Sequence, residues 1–232
     1  MKKGQEDWYS KKWYNKNKLT VYLLTSKIIL NWIKNCKFKK MLDVGCGYGI
    51  LTKILCKKTK LEITAIDYEK TTLEKAKQIL KNTNVKIEKQ NVLNTKYKDN
   101  SFDMVISTGY TCAATLPGAM KEIKRIVKPD GVIIVDYLRF YNLYYLLSGN
   151  FLKRLIKYLN KKDVNQYYFG KLGLKKYIEK DNGLKIEEIK AFYTFPPFLK
   201  KYKQKLIFEK TIGVILKPFL ARVLILKIRN IK

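Results

Sequence analysis

MLDVGCGYGILTKIL, residues 41–55, decides how the rest of the chain is read. It opens as a strand, places glycines at 45, 47 and 49, and passes into ILTKILCKK, which has a helical period. Glycine is needed where a strand turns sharply into a helix and where backbone must approach a ligand with no side chain between. A plain tight turn uses the same residues, so the glycines alone are a weak signal. The dinucleotide fingerprint G-x-G-x-x-G requires glycine at position 50, where this chain has Ile50. A second acid sharpens the reading: Asp67 ends the next strand-like run, LEITAID, 18 residues beyond Gly49. A carboxylate there can accept hydrogen bonds from both hydroxyls of a ribose; its plainer role is to cap the following helix.

Working outward, Leu19 to Cys36 carries apolar residues along one helical stripe and predicts a leading helix. TTLEKAKQILKN predicts a helix capped by Thr71 with Glu74 in support, ending near Asn82. VKIEKQNV and FDMVIST follow as strands, a helix runs from about Pro117 to before Pro129, and GVIIVDYL is a fifth strand. GLKIEEIKAFY and LARVLILKIRN make two more. The expected fold is α/β: a doubly wound, Rossmann-like, seven-stranded and mostly parallel sheet with helices on both faces and a helical insertion after strand 5. The single domain 1–232 divides into an N-terminal flap and leading helix (1–36), a cofactor-binding core (37–139), an insertion or substrate cap (140–183), and C-terminal strands 6 and 7 (184–232).

The quoted segment resembles the class I S-adenosylmethionine-dependent methyltransferases, and within them the type 11 group that includes ubiquinone and menaquinone C-methyltransferases. The family's opening motif is matched by Leu42, Asp43, Val44, Gly45, Cys46, Gly47 and Gly49, and its ribose acid by Asp67. QNVLNTKYKDNSFDMVIST resembles the adenine segment running into F-D-x-V, and MKEIKRIVKPDGVIIVDYLR the following helix and fifth strand. The likeness covers about residues 40–139. It implies S-adenosyl-L-methionine as cofactor, held by Asp43, Gly45, Cys46, Gly47, Gly49, Asp67, Tyr68, Asn91, Val92 and Ser107, with Asp43 serving the methionine end. Two positions depart from the family: Asn91 stands where an aspartate usually reads the adenine amine, and Lys96 replaces a common proline. The Asn91 oxygen can still accept that bond, without charge.

Methyl transfer from an activated sulfonium mainly requires alignment and exclusion of water. The chain has no histidine, so a general base, if one is used, comes from Tyr110, Asp136 or Tyr137 near the strand ends; each also has a plain structural reading. Exocyclic base N-methylation is disfavoured, because Ser107 to Cys112 reads STGYTC where the family's nucleic-acid enzymes carry an Asn/Asp-Pro-Pro-aromatic motif. The insertion supplies Tyr141, Tyr144, Tyr145 and other aromatics, suited either to a ring-bearing acceptor or to core packing. Trp8, Trp13 and Tyr14 form either a flap over the cofactor or a basic tail.

Composition bounds the partners. Cys36, Cys46, Cys56 and Cys112 sit singly, which with the missing histidine leaves no structural zinc site and no metal expected. The start carries Glu6 and Asp7 where a secretory signal needs an apolar run, and Ile212 to Ile228 is broken by Lys217, Pro218 and Arg222. A cytoplasmic protein is expected, at most peripheral to the inner membrane face. Lysine and arginine total 49 against 19 acids, a net charge of +30, yet only five are arginine, the better fork for phosphate and guanine. Three readings stand: an enzyme acting on a small-molecule or lipid-like acceptor, an RNA methyltransferase using the basic surface, and a non-catalytic S-adenosylmethionine-binding protein.

Overall fold

The computed structural model describes residues 12–108, 118–138, 178–179, 183–192, 202–211, 215, 221 and 223–232. The expected insertion lies almost wholly outside the described residues, as do Trp8, Tyr110 and Cys112. Elements follow in the order α1 (Lys12–Ile33), β1 (Lys40–Val44), α2 (Ile50–Cys56), β2 (Glu62–Asp67), α3 (Lys70–Leu80), β3 (Lys86–Lys89) and β4 (Phe102–Ser107). Then come α4 (Ala119–Ile126), β5 (Val127–Leu138), β6 (Leu184–Phe192), α5 (Tyr202–Lys210) and β7 (Val223–Asn230).

The seven strands form one sheet in the order β3-β2-β1-β4-β5-β7-β6. β1 to β5 pair parallel with their neighbours, while β7 runs antiparallel to both β5 and β6. The mostly parallel, doubly wound sheet expected from the sequence is present. Strand order reverses direction at β1, so the ends of β1 and β4 mark the switch point where open α/β sheets bind ligands.

Parallel strands covered on both faces are apolar throughout, and β1 shows why: Met41 and Leu42 are fully buried although they point to opposite sides. On one face Val105, Ile133, Val135 and Leu226 pack with Ile123 and Ile126 of α4. On the other, Met104, Ile106, Ile134 and Ile225 meet Leu24, Ile29 and Trp32 of α1 and Leu51 and Leu55 of α2. Each such side chain, fully buried, contributes about 1.5–3 kcal/mol. Below the sheet the Asp103 carboxylate accepts from the backbone N–H groups of Lys39 (2.9 Å) and Lys40 (2.7 Å) and from the Lys128 ammonium (2.8 Å), tying β1, β4 and β5 at their starts.

Some boundaries differ from the sequence reading. α1 begins at Lys12 rather than Leu19 and ends at Ile33. α3 is capped at Glu69 with no side-chain cap bond, so Thr71 lies inside the first turn rather than at the cap. The reason is local: Asp67 Oδ1 takes the Glu69 N–H at 3.0 Å and fixes where the helix starts. β5 begins at Val127 because Val127 pairs with Phe102 ahead of an irregularity, after which Val132 pairs with Met104.

Candidate functional site

The glycine run leaves the tip of β1 and turns back on itself. Gly45, Gly47 and Gly49 have φ of 70, 56 and 73°, a region that residues with a Cβ rarely enter. A Cβ on Gly49 would also sit 2.7 Å from Leu80 Cδ1 of α3, so a side chain there would make Leu80 shift. A Cβ on Gly47 would meet nothing within 4 Å; there the loop faces open space. The loop is bound to β2 by the backbone N–H groups of Gly45 (2.8 Å) and Cys46 (3.0 Å), which share the Ile66 carbonyl.

Asp67, at the tip of β2, completes this arrangement. Its Oδ2 accepts from Gly47 N–H at 3.0 Å while Oδ1 holds Glu69 N–H. Each oxygen therefore takes one protein donor and keeps accepting capacity for a ligand hydroxyl. Beside it opens a cavity of about 300 Å³ lined by Val44, Gly45, Ile66, Asp67, Tyr68, Gln90, Asn91, Val92 and Leu93. Tyr68 is 67% exposed, with the Lys89 ammonium 5.7 Å from its ring centre, and Leu93 is 45% exposed. Two apolar surfaces without much protein cover thus border the same space.

Beneath the loop, Asp43 is buried and accepts from Thr52 Oγ1 at 2.6 Å. Burial pushes its carboxyl up to about 7, opposed by the Thr52 hydrogen bond and assisted by the charge of Asp67. The Cys46 thiol is driven well above its ordinary value, first by burial and then by Asp43 and Asp67, so it carries no thiolate at neutral pH.

The residues expected from the sequence fall into three groups. Gly45, Asp67, Tyr68, Asn91 and Val92 line the cavity; Asp43, Cys46, Gly47 and Gly49 build the floor and loop beside it. Ser107 is buried at the end of β4, and its hydroxyl donates to the Val44 carbonyl at 3.0 Å, joining β4 to β1. Asp136 and Tyr137 are both buried, but as consecutive strand residues they project to opposite faces: Tyr137 lies in the apolar cluster shared with α4, and Asp136 on the face of α1. Tyr110 lies outside the described residues.

Sequence reasoning missed Gln90, Leu93 and Thr108. Gln90 carries no signal of its own; its amide accepts from Lys96 N–H at 3.0 Å and donates to Glu88 at 2.7 Å. A proline at 96, as in the family, could not make the first bond, so the departure at Lys96 is matched by Gln90. Thr108 sits one residue past β4, and its Oγ1 is buried without a partner among the described residues. Among these residues no group of three His, Cys, Asp or Glu could hold a metal ion, and no helix is long and apolar enough to cross a membrane. An open glycine cradle, a carboxylate at the β2 tip with accepting capacity to spare and a cavity with exposed apolar walls fit a sulfonium nucleoside.

Fold and site together define a doubly wound α/β domain with a glycine cradle and a carboxylate at its switch point. Residues 42–135 match the family described as methyltransferase domain. Over 161 residues the chain is 32% identical to an uncharacterised protein of Methanocaldococcus jannaschii, covering 66% of this chain and 60% of that one. It is 35% identical over 102 residues to a demethylmenaquinone methyltransferase of Staphylococcus aureus, 42% of each. It thus spans about half the length of these relatives. Among solved structures it is similar to the plantazolicin methyltransferase BpumL in complex with SAH, with a TM-score of 0.63 and 15% identity over 98% of this chain and 93% of that one. The match over residues 42–135 is thus to a methyltransferase domain, and the likeness to solved structures is one of fold.

Proposed function

We propose that this protein transfers a methyl group from S-adenosylmethionine to a small-molecule or lipid-like acceptor, in the cytoplasm or at the inner membrane face. The observation that carries the reading is Asp67, held at the tip of β2 by Gly47 and Glu69 with its remaining lone pairs turned to a cavity of about 300 Å³. Asp67 binds the ribose hydroxyls; Tyr68, Val92 and Leu93 flank the adenine; and the Asn91 oxygen, which already accepts from Leu93 N–H at 3.0 Å, takes the adenine amine on its second lone pair. Asp43 serves the ammonium of the methionine end, which favours the charged form that burial disfavours.

The cofactor supplies a methyl group on a sulfonium, open to in-line displacement. The chain's own part is to orient the two reactants and exclude water. A proton leaving the acceptor would pass to Asp136, Tyr137 or Tyr110, or to solvent when alignment suffices. The demethylmenaquinone methyltransferase among the relatives supports an apolar, ring-bearing acceptor.

The test is calorimetry with S-adenosylhomocysteine, followed by labelled-methyl incorporation into fractions of a cell extract. Heat of binding and label in the lipid or small-metabolite fraction are expected. Label in RNA, with affinity falling steeply as salt rises, would replace the acceptor class. Absence of any heat on folded protein would end the cofactor assignment.

A further inference from the structure

We infer that Glu122 on α4 is a positioning residue for the adenine side of the site, acting through Thr95. The inference rests on the cofactor reading above and concerns the wall formed by residues 90–95. Leu93, at the middle of that wall, is 45% exposed and makes little packing of its own, so bonds rather than contacts must set its place. At one end the wall hangs from β2, where Gln90 N–H donates to the Asp67 carbonyl at 3.2 Å.

At the other end Thr95 is buried and gives both of its donors to one carboxylate oxygen. Its backbone N–H reaches Glu122 Oε1 at 2.9 Å and its hydroxyl reaches the same atom at 2.6 Å. Only serine or threonine offers a backbone and a side-chain donor at that spacing. Glu122 is itself fixed by Arg125, one turn further along α4, through Nε to Oε2 (2.8 Å) and Nη2 to Oε1 (2.6 Å). The same guanidinium continues to Asp99 (2.6 Å) and the Tyr97 carbonyl (2.9 Å), beyond the wall. These are charge-assisted bonds from a helix, the kind of rigid second layer that sets a binding surface. The Arg125 bonds bring the Glu122 carboxyl down to about 2, against burial and with help from Thr95, so the anchor stays charged through the physiological range.

The experiment compares affinities for S-adenosylhomocysteine and S-inosylhomocysteine, which differ at the purine edge that the wall faces, in the wild type, Thr95→Val, Thr95→Ser and Glu122→Ala, with thermal melts to establish folding. Wild type should prefer the adenine form. Thr95→Val and Glu122→Ala should weaken S-adenosylhomocysteine about tenfold and bring the preference towards one, while Thr95→Ser stays close to wild type. Thr95→Val keeps the Glu122 to Arg125 pair and so remains informative should Glu122→Ala fail to fold. The inference is overturned by an unchanged preference in Thr95→Val, by an equal loss for both ligands, or by a wild-type preference near one. A wild type that binds neither ligand instead removes the cofactor reading on which the inference stands.

Discussion

Asp43 shows how a single buried carboxylate couples the site to stability. With its pKa near 7 in the folded protein against 3.8 as the reference, the native state holds a proton that the unfolded chain has lost between about pH 4 and 7. Asp43 therefore stabilises least at high pH: its contribution falls as pH rises through that window, by up to about 1.4 kcal/mol per unit, and is flat above it. Asp43→Asn keeps an acceptor for the Thr52 hydroxyl and removes the proton. Urea unfolding should find the variant more stable than wild type at pH 8, with the difference vanishing near pH 4, while its affinity for S-adenosylhomocysteine falls. An equal effect at both pH values would contradict the assigned titration. At this scale the sequence was most informative where chemistry and backbone coincide. Gly45, Gly47, Gly49 and Asp67 were legible because each is demanded by a positive φ or by a bond across the loop. Gln90, Leu93 and Thr108 were not, because their roles come from neighbours brought in by folding.

At the scale of elements, strand and helix identity followed from periodicity, whereas ends depended on bonds that periodicity does not encode. α3 starts where Asp67 places Glu69, and α4 ends where a distant strand caps it. Asn230, buried on β7, donates from Nδ2 to the carbonyls of Lys124 (3.2 Å), Val127 (2.9 Å) and Lys128 (3.2 Å). Lys124 lies in the last turn of α4 while Val127 and Lys128 open β5, so the amide holds the junction of helix and strand. Asn230→Ala strands these acceptors in the interior and should cost about 1–3 kcal/mol, read as a lower denaturation midpoint with an unchanged slope. No property of the sequence around Asn230 announces this, since the helix it serves lies about a hundred residues earlier.

The whole molecule carries a net charge of +30, and its lysines far outnumber its acids. Self-repulsion on that scale opposes the compact state and is screened by salt, with a Debye length of about 30 Å at 0.01 M and about 10 Å at 0.1 M. Raising sodium chloride from low to moderate concentration should therefore raise the melting temperature. A fall would mean that attractive pairs such as Arg229 with Glu187, 2.7 Å apart, outweigh the excess of positive charge. Fold class was legible from alternating strand and helix patterns, yet the spatial order of the last two strands was not, because nothing local distinguishes a parallel from an antiparallel neighbour.

That order bears on how the chain reaches its native state. β7 follows β6 in sequence but stands between β6 and β5 in space, so β6 has no edge to join until the later strand has emerged. A chain made only up to β6 would hold five parallel-paired strands with an unpaired flank at β5, an edge open to intermolecular association. Closure of the sheet waits on β7, which must pair with β5 and β6 at once, so that strand is a checkpoint for folding as well as an anchor for the end of α4.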